Sequence, residues 1–446
     1  MSDAMNARVS HLVGVSAALG LLGSAPSSAD TLSATVAATS SAATTAPDAS
    51  AGLLDGALSD VGGELLPSGM ELQLYGFADV GYRQFVLDAR SPWRAFLPDN
   101  GSFVVGNLNL YLSSSFDAWR SLLEVRFLYL PNGSFSWDNI GAAYPETNTA
   151  DPAENFRQLQ WGGIEIERAW LSYELHPLLT IRAGQWLTPY GIWNVDHGSP
   201  TIIAVTRPHT VGEALFPERQ VGIELSGALS SGAHRFGYHA TLSNGRGPFA
   251  YYFDLDDNKA VGGRVFWESS VLGQLTVGAS VYFGRSTSAK LQLVPDADRV
   301  IRRDALITSQ YDELSLAGDL RWIWGDLTVQ GEIITNQRKY TPAGRPRLAR
   351  LPGFVPDETP WGAYALVAYR LPLFGLMPYF SAEYYNYWTD SLMLRSLTGY
   401  IAGINWRPHP RVTLKVEYQV YSFQSSESPF TQHDIGSFNT QAAWAF

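Results

Sequence analysis

The 446-residue chain contains no cysteine. Disulfide staples, thiolate metal sites and cysteine nucleophiles are therefore excluded. Beyond its N-terminus it lacks any run of about 18 apolar residues, so no transmembrane helix is expected. Charge is sparse: Asp, Glu, Lys and Arg together make up 16 %, against roughly 25 % in an ordinary soluble domain. The balance is acidic, with a formal net charge of −11. That argues against nucleic acid as a partner, since its binders present a basic face. Histidine numbers only 8, with no close pair at metal-ligand spacing. There is no Gly-x-Ser-x-Gly elbow. Asp196-His197-Gly198-Ser199 holds triad-type residues as sequence neighbours, and neighbours rarely adopt triad geometry. No catalytic set, metal or cofactor is expected.

Aromatic rings, by contrast, are plentiful, with 14 Trp and 22 Tyr. Few charges and many Trp and Tyr suit a surface in contact with lipid, where these rings settle at the headgroup level. Residues 1–29 read as a signal peptide: Arg8, an apolar run from Leu12 to Leu22, then Ser27-Ser28-Ala29 before Asp30. Residues 30–65 are rich in Ala, Ser and Thr and read as a flexible periplasmic tail. Residues 66–446 form the remaining unit.

Within that unit the dominant hydrophobic period is two. Such a period places one set of side chains on each face of a strand. Leu72, Leu74, Ala78 and Val80 alternate with Glu71, Gln73 and Asp79. Leu123, Val125 and Phe127 alternate with Glu124 and Arg126. Sixteen candidate strands start near Met70, Phe103, Ser121, Ile164, Leu179, Gln220, His234, Ala260, Gln274, Tyr311, Leu327, Trp361, Leu376, Leu397, Arg411 and Ile435. Connections alternate between short ones, such as Asp117-Ala118 and Gly325-Asp326, and long ones, such as Leu187 to Arg219, Ser286 to Gln310 and Thr341 to Pro360. With the short turns periplasmic, alternate strands end on outward aromatics: Tyr173, Trp267, Trp322 with Trp324, Tyr369, Trp406 and Trp444. That is an interfacial girdle. The expected fold is an all-β, transmembrane antiparallel barrel of about sixteen strands, closed so that no edge meets lipid.

The last strand alternates to the final residue, with Phe438, Trp444 and Phe446 on one face. It resembles the assembly signal of bacterial outer-membrane proteins. Ile166-Glu167-Arg168-Ala169-Trp170-Leu171, followed by Arg182-Ala183-Gly184-Gln185-Trp186-Leu187-Thr188-Pro189-Tyr190-Gly191, resembles the phosphate-selective porin family of the O and P type. Tyr75-Gly76-Phe77-Ala78-Asp79-Val80-Gly81-Tyr82 resembles the first porin strand. The resemblance spans Met70 to Phe446. It implies sixteen strands, a homotrimer, a third loop folded into the pore and a bacterial outer-membrane location. It also implies passive diffusion of small hydrophilic solutes or ions, with lumen arginines favouring anionic or neutral ones. Trp444 and Phe446 would then meet the outer-membrane insertion machinery, and the wall would meet lipid and lipopolysaccharide. The rival readings are an enzyme on an outer-membrane barrel and a non-channel adhesive or structural barrel.

The alternation nominates pore-lining residues: Arg83, Arg126, Arg168, Arg182, Arg264 and Arg321, with Glu124 and Asp319 among the acids. Arg126, Arg168 and Arg182 fall on three consecutive strands and should share one wall. Like charges side by side are unfavourable without an offset. The third long connection carries Asp196, His197, Arg207, Glu213 and Glu218. Folded inward, its acids would face the arginine wall and set up a transverse field. The alternative is an external cap. Arg338, Lys339, Arg345, Arg347 and Arg350 make the sixth long connection basic, suited to anionic solutes or lipopolysaccharide phosphates.

Overall fold

A computed structural model describes residues 69–446, apart from 96, 98–99, 129–162, 196–197, 213–214, 247–256, 296–300, 346–356, 388–394 and 425–432. The signal peptide and tail expected over residues 1–65 lie outside the described residues, as do Arg347 and Arg350.

Sixteen strands follow one another around a closed antiparallel barrel. They are β1 (Glu71–Val86), β2 (Ser102–Phe116), β3 (Trp119–Leu128), β4 (Gly163–His176), β5 (Leu179–Leu187), β6 (Arg219–Ser231), β7 (His234–Ser243) and β8 (Ala260–Ser269). The second half comprises β9 (Gln274–Pro295), β10 (Ile301–Trp324), β11 (Leu327–Tyr340), β12 (Trp361–Tyr369), β13 (Leu376–Asn386), β14 (Ser396–His409), β15 (Val412–Gln424) and β16 (His433–Ala445). Every strand pairs with its sequence neighbours, and β16 returns to β1. Short turns close one end, five of the seven with two residues; Gly325, at φ +57°, supplies the left-handed step between β10 and β11 that suits a tight hairpin.

The two faces of the sheet differ as period two requires. On β9, Val277, Val281 and Phe283 are exposed on the outer wall, while Ser280 and Tyr282 are buried inside. Along β15, Thr413, Lys415, Glu417 and Gln419 are buried, and Val416 and Tyr418 are exposed. An apolar exterior around a polar interior inverts the arrangement of a water-soluble sandwich and suits hydrocarbon outside. Trp324, Tyr369, Trp406 and Trp444 lie exposed at the short-turn end of the outer wall.

One expected loop is strand instead. Ser286 to Gln310 reads as a long connection because Ser and Thr cluster at its start. The β9–β10 register nevertheless continues from Ser286↔Tyr311 to Arg302↔Val294 and Ile301↔Pro295. A two-stranded ribbon satisfies its backbone groups by mutual pairing, whatever the polarity of its side chains.

Candidate functional site

Residues 188–218 leave β5 and return to β6 by way of the barrel interior. Their stem is pinned where the two strands meet: the Thr188 amide donates to the Glu218 carbonyl at 2.9 Å, and Asn194 Nδ2 donates to the Thr188 carbonyl at 2.8 Å. A crossing backbone has no ladder partner, so its amides and carbonyls need side chains. The opposite wall provides them. Glu332 on β11 accepts from the Trp193 amide at 2.8 Å and the Tyr364 hydroxyl at 2.6 Å. Glu383 on β13 accepts from the His209 amide at 2.6 Å and the Tyr421 hydroxyl at 2.7 Å. Glu417 on β15 accepts from the Val205 amide at 2.8 Å and the Thr206 hydroxyl at 2.5 Å. Lys415 Nζ donates to the carbonyls of Ser199 and Ala204 at 2.8 and 3.1 Å. Asp79 on β1 accepts from the Ser199 hydroxyl at 2.5 Å.

Apolar packing supports the same crossing. Trp193, Ile202, Val211 and Leu215 join one buried cluster with Ile334, Leu397 and Tyr421 of the wall. Gly191 begins the crossing at φ +73°, a left-handed backbone that side chains disfavour. The crossing segment thus leans on β11–β15 and β1, and near its two ends on β7–β10, where Tyr190 meets Thr241 and the Ser315 hydroxyl donates to the Leu215 carbonyl.

Along β3–β10, arginines and carboxylates interleave across strands. Arg168 Nε lies 2.6 Å from Glu124 Oε2, and Arg182 Nη1 lies 2.9 Å from Glu224 Oε2. Arg126 Nη1 and Arg219 Nε take the two oxygens of Glu167, at 3.1 and 2.5 Å. Arg264 Nη2 lies 2.5 Å from Asp319 Oδ1. Glu167 and Arg168 both point inward because a bulge interrupts the β3–β4 register beside Glu124 and Val125. In each of these pairs the carboxylate side chain is 0 % exposed, while Arg182, Arg219 and Arg264 keep 27 %, 18 % and 11 %.

The nominated residues therefore divide. Arg126, Arg168 and Arg182 do share the β3–β5 wall, but strand carboxylates offset them. Glu218 pairs with Arg207 of its own segment at 3.1 Å. Asp196, His197 and Glu213 lie outside the described residues. Arg83 donates from Nε to Asn439 Oδ1 at 2.9 Å. Arg321 follows Asp319 on the inward face of β10. Of the residues that make the sixth connection basic, Arg345 pairs with Asp357 at 2.7 Å, and Arg338, which lies at the end of β11, pairs with Glu358 at 3.5 Å. The Tyr340 amide, then Arg345, hold the Asp357 carboxyl below the usual carboxylate range. Trp444 and Phe446 are exposed on the outer wall. Among the described residues, no group of three or more His, Asp or Glu is placed to hold a metal ion.

Sequence reasoning misses Glu167, Arg219 and Arg246. A bulge hides the first and strand-end placement the second. The third lies in a connection, where it grips Glu313 through Nε at 3.0 Å.

No family model matches the chain, and no curated protein does. Solved structures do. OmpT of Vibrio cholerae, an outer membrane protein in its trimer form, matches with a TM-score of 0.51 at 9 % identity, over 85 % of this chain and 100 % of that one. An anion-selective porin from Comamonas acidovorans matches with 0.51 at 10 %, over 84 % and 100 %. The outer membrane channel DcaP of Acinetobacter baumannii matches with 0.50 at 12 %, over 85 % and 99 %. The likeness is one of fold: this chain is a closed sixteen-strand antiparallel barrel similar to those of outer-membrane proteins.

Proposed function

We propose that the chain is a porin-type channel of the bacterial outer membrane, passing small hydrophilic solutes by passive diffusion with a preference for anions. Its short-turn end faces the periplasm, and three copies assemble, as the porin resemblance implies. An apolar outer wall around an interior of paired charges suits a water-containing path through lipid.

The observation that carries the anion preference is the orientation of the ion pairs. Arg182, Arg219 and Arg264 retain exposure while Glu224, Glu167 and Asp319 are covered. Each pair is neutral as a whole, but its cationic end is the one a passing solute meets. Close-range fields at a constriction then favour negative charge, modestly, because the carboxylate behind each guanidinium offsets it at longer range. The crossing segment narrows the interior and supplies the size limit.

Purified protein in a planar bilayer tests this directly. Stepwise single-channel currents are expected, and in a KCl gradient the reversal potential should take the sign of chloride permeation. A bilayer that stays electrically silent would falsify the channel reading. A potassium-favouring potential would leave the channel and remove the anion preference.

A further inference from the structure

The inner wall at β1–β5 pairs its guanidinium groups with aromatic faces. Arg182 Cζ sits 4.5 Å from the Trp170 ring centroid, and Arg168 Cζ sits 5.5 Å from that of Tyr111. Tyr111 in turn stacks on Tyr75, with centroids 4.9 Å apart and planes 6° from parallel. Phe77 and Leu122 fill in behind, and Tyr75 and Trp170 pack on the same cluster. Such an apolar patch is unexpected among polar inward positions, and burial does not explain all of it. Phe77, Tyr111 and Leu122 are buried, but Tyr75, Trp170 and Arg182 are only half-buried.

Strand order makes these residues a continuous strip. Tyr75 faces Tyr111 across β1–β2, Leu122 faces Trp170 across β3–β4, and Ser172 faces Arg182 across β4–β5. One side of the strip therefore offers ring faces, and the adjoining side offers a guanidinium. Arg182 Nη1 is engaged by Glu224, and the side chain as a whole keeps 27 % exposure. A planar guanidinium held against an indole is ready to take a second flat group, and its remaining N–H groups suit a carboxylate.

We propose that this strip is a binding subsite for aromatic carboxylates: small solutes with one flat unsaturated ring and one carboxylate. The ring lies on the Trp170–Arg182 stack, and the carboxylate meets Arg182. An inorganic oxyanion would use the guanidinium and leave the rings idle; a neutral sugar would leave the charge idle. The inference rests on the channel reading above and narrows its solute class.

Benzoate and cyclohexanecarboxylate separate the contributions, since they share charge and size while only benzoate has a π-face. Each is added to the wild-type channel in a planar bilayer, and permeability relative to chloride is read from bi-ionic reversal potentials. Benzoate should exceed cyclohexanecarboxylate by about threefold, the scale of one ring or cation–π contact. Trp170→Leu should abolish that excess, and Trp170→Phe should restore part of it. Arg182→Gln should lower the permeability of both acids. Equal permeability of the two acids through the wild-type channel overturns the subsite and leaves the channel intact. No current at all overturns the channel reading and the subsite together.

Discussion

The Thr206 hydroxyl donates to Glu417 Oε1 at 2.5 Å across 211 positions of sequence. The same carboxylate accepts from the Val205 amide and the Tyr379 hydroxyl through its other oxygen. One wall residue thereby helps to fix the far side of the segment, beside Lys415 and Glu383. Hydrogen bonds to a charged group contribute about 1.5–3 kcal/mol each. Replacing Glu417 with Ala strips an acceptor from four donors at once, the Thr206 amide being the fourth. The variant should lose on the order of 3 kcal/mol in urea titrations of the folded barrel. Its single-channel current should be larger and noisier as the segment moves. Glu417→Gln keeps an acceptor oxygen and should lie between the two.

Glu167 tests the charge pairing on the opposite wall. Its two oxygens pair with both Arg126 and Arg219. Glu167→Gln leaves two inward guanidiniums sharing a neutral amide. Breaking a buried pair costs about 3 kcal/mol, the lower end of the usual range because Arg219 keeps some exposure. The reversal potential in a salt gradient should move further toward chloride. A shift toward potassium would show that Arg126 and Arg219 do not contribute to the permeation path.

Alternation is a local property, which is why the strands could be read before any neighbour was known. Leu123, Val125 and Phe127 against Glu124 and Arg126 need no partner strand to declare two faces. Glu167 shows where this fails. Counting by twos sends it to lipid, and only the bulge opposite Val125 turns it and Arg168 inward together. The roles of Glu332, Glu383 and Glu417 were also hidden. As sequence they are pore-lining acids, but their partners Trp193, His209 and Thr206 lie 139, 174 and 211 positions away. Nothing local distinguishes an acid that lines water from one that receives a backbone. The one available signal was that the third connection is long and must place its own amides somewhere.

Gly191 should be intolerant of a side chain for two separate reasons. Its φ of +73° costs an alanine roughly 1–2 kcal/mol. An added Cβ would also sit 2.0 Å from Glu332 Oε2. Glu332 cannot simply swing away, because it holds the Trp193 amide and the Tyr364 hydroxyl. Gly191→Ala should therefore unseat the near side of the crossing and raise current noise, as Glu417→Ala does at the far side. Gly212→Ala, on the same segment, meets nothing within 4 Å and should behave as wild type.

Phe446 has a backbone contact and a ring whose contributions an experiment can separate. Its amide donates to the Gly76 carbonyl at 3.0 Å, and its carbonyl accepts from the Gly76 amide at 2.9 Å, so its backbone helps to close β16 on β1. Its ring, half exposed on the outer wall, lies so near Gly76 that an added Cβ there would meet it at 2.8 Å. Phe446→Ala keeps both backbone hydrogen bonds and removes only the ring. If the ring is an assembly signal, the variant should fold into detergent micelles at nearly wild-type yield, read as heat-modifiable gel mobility. In cells it should reach the outer membrane several-fold less. Deleting Phe446 removes the two hydrogen bonds as well, about 1 kcal/mol each, and should lower the yield in both settings. Equal losses for Phe446→Ala in micelles and in cells would assign the ring to barrel closure rather than to recognition.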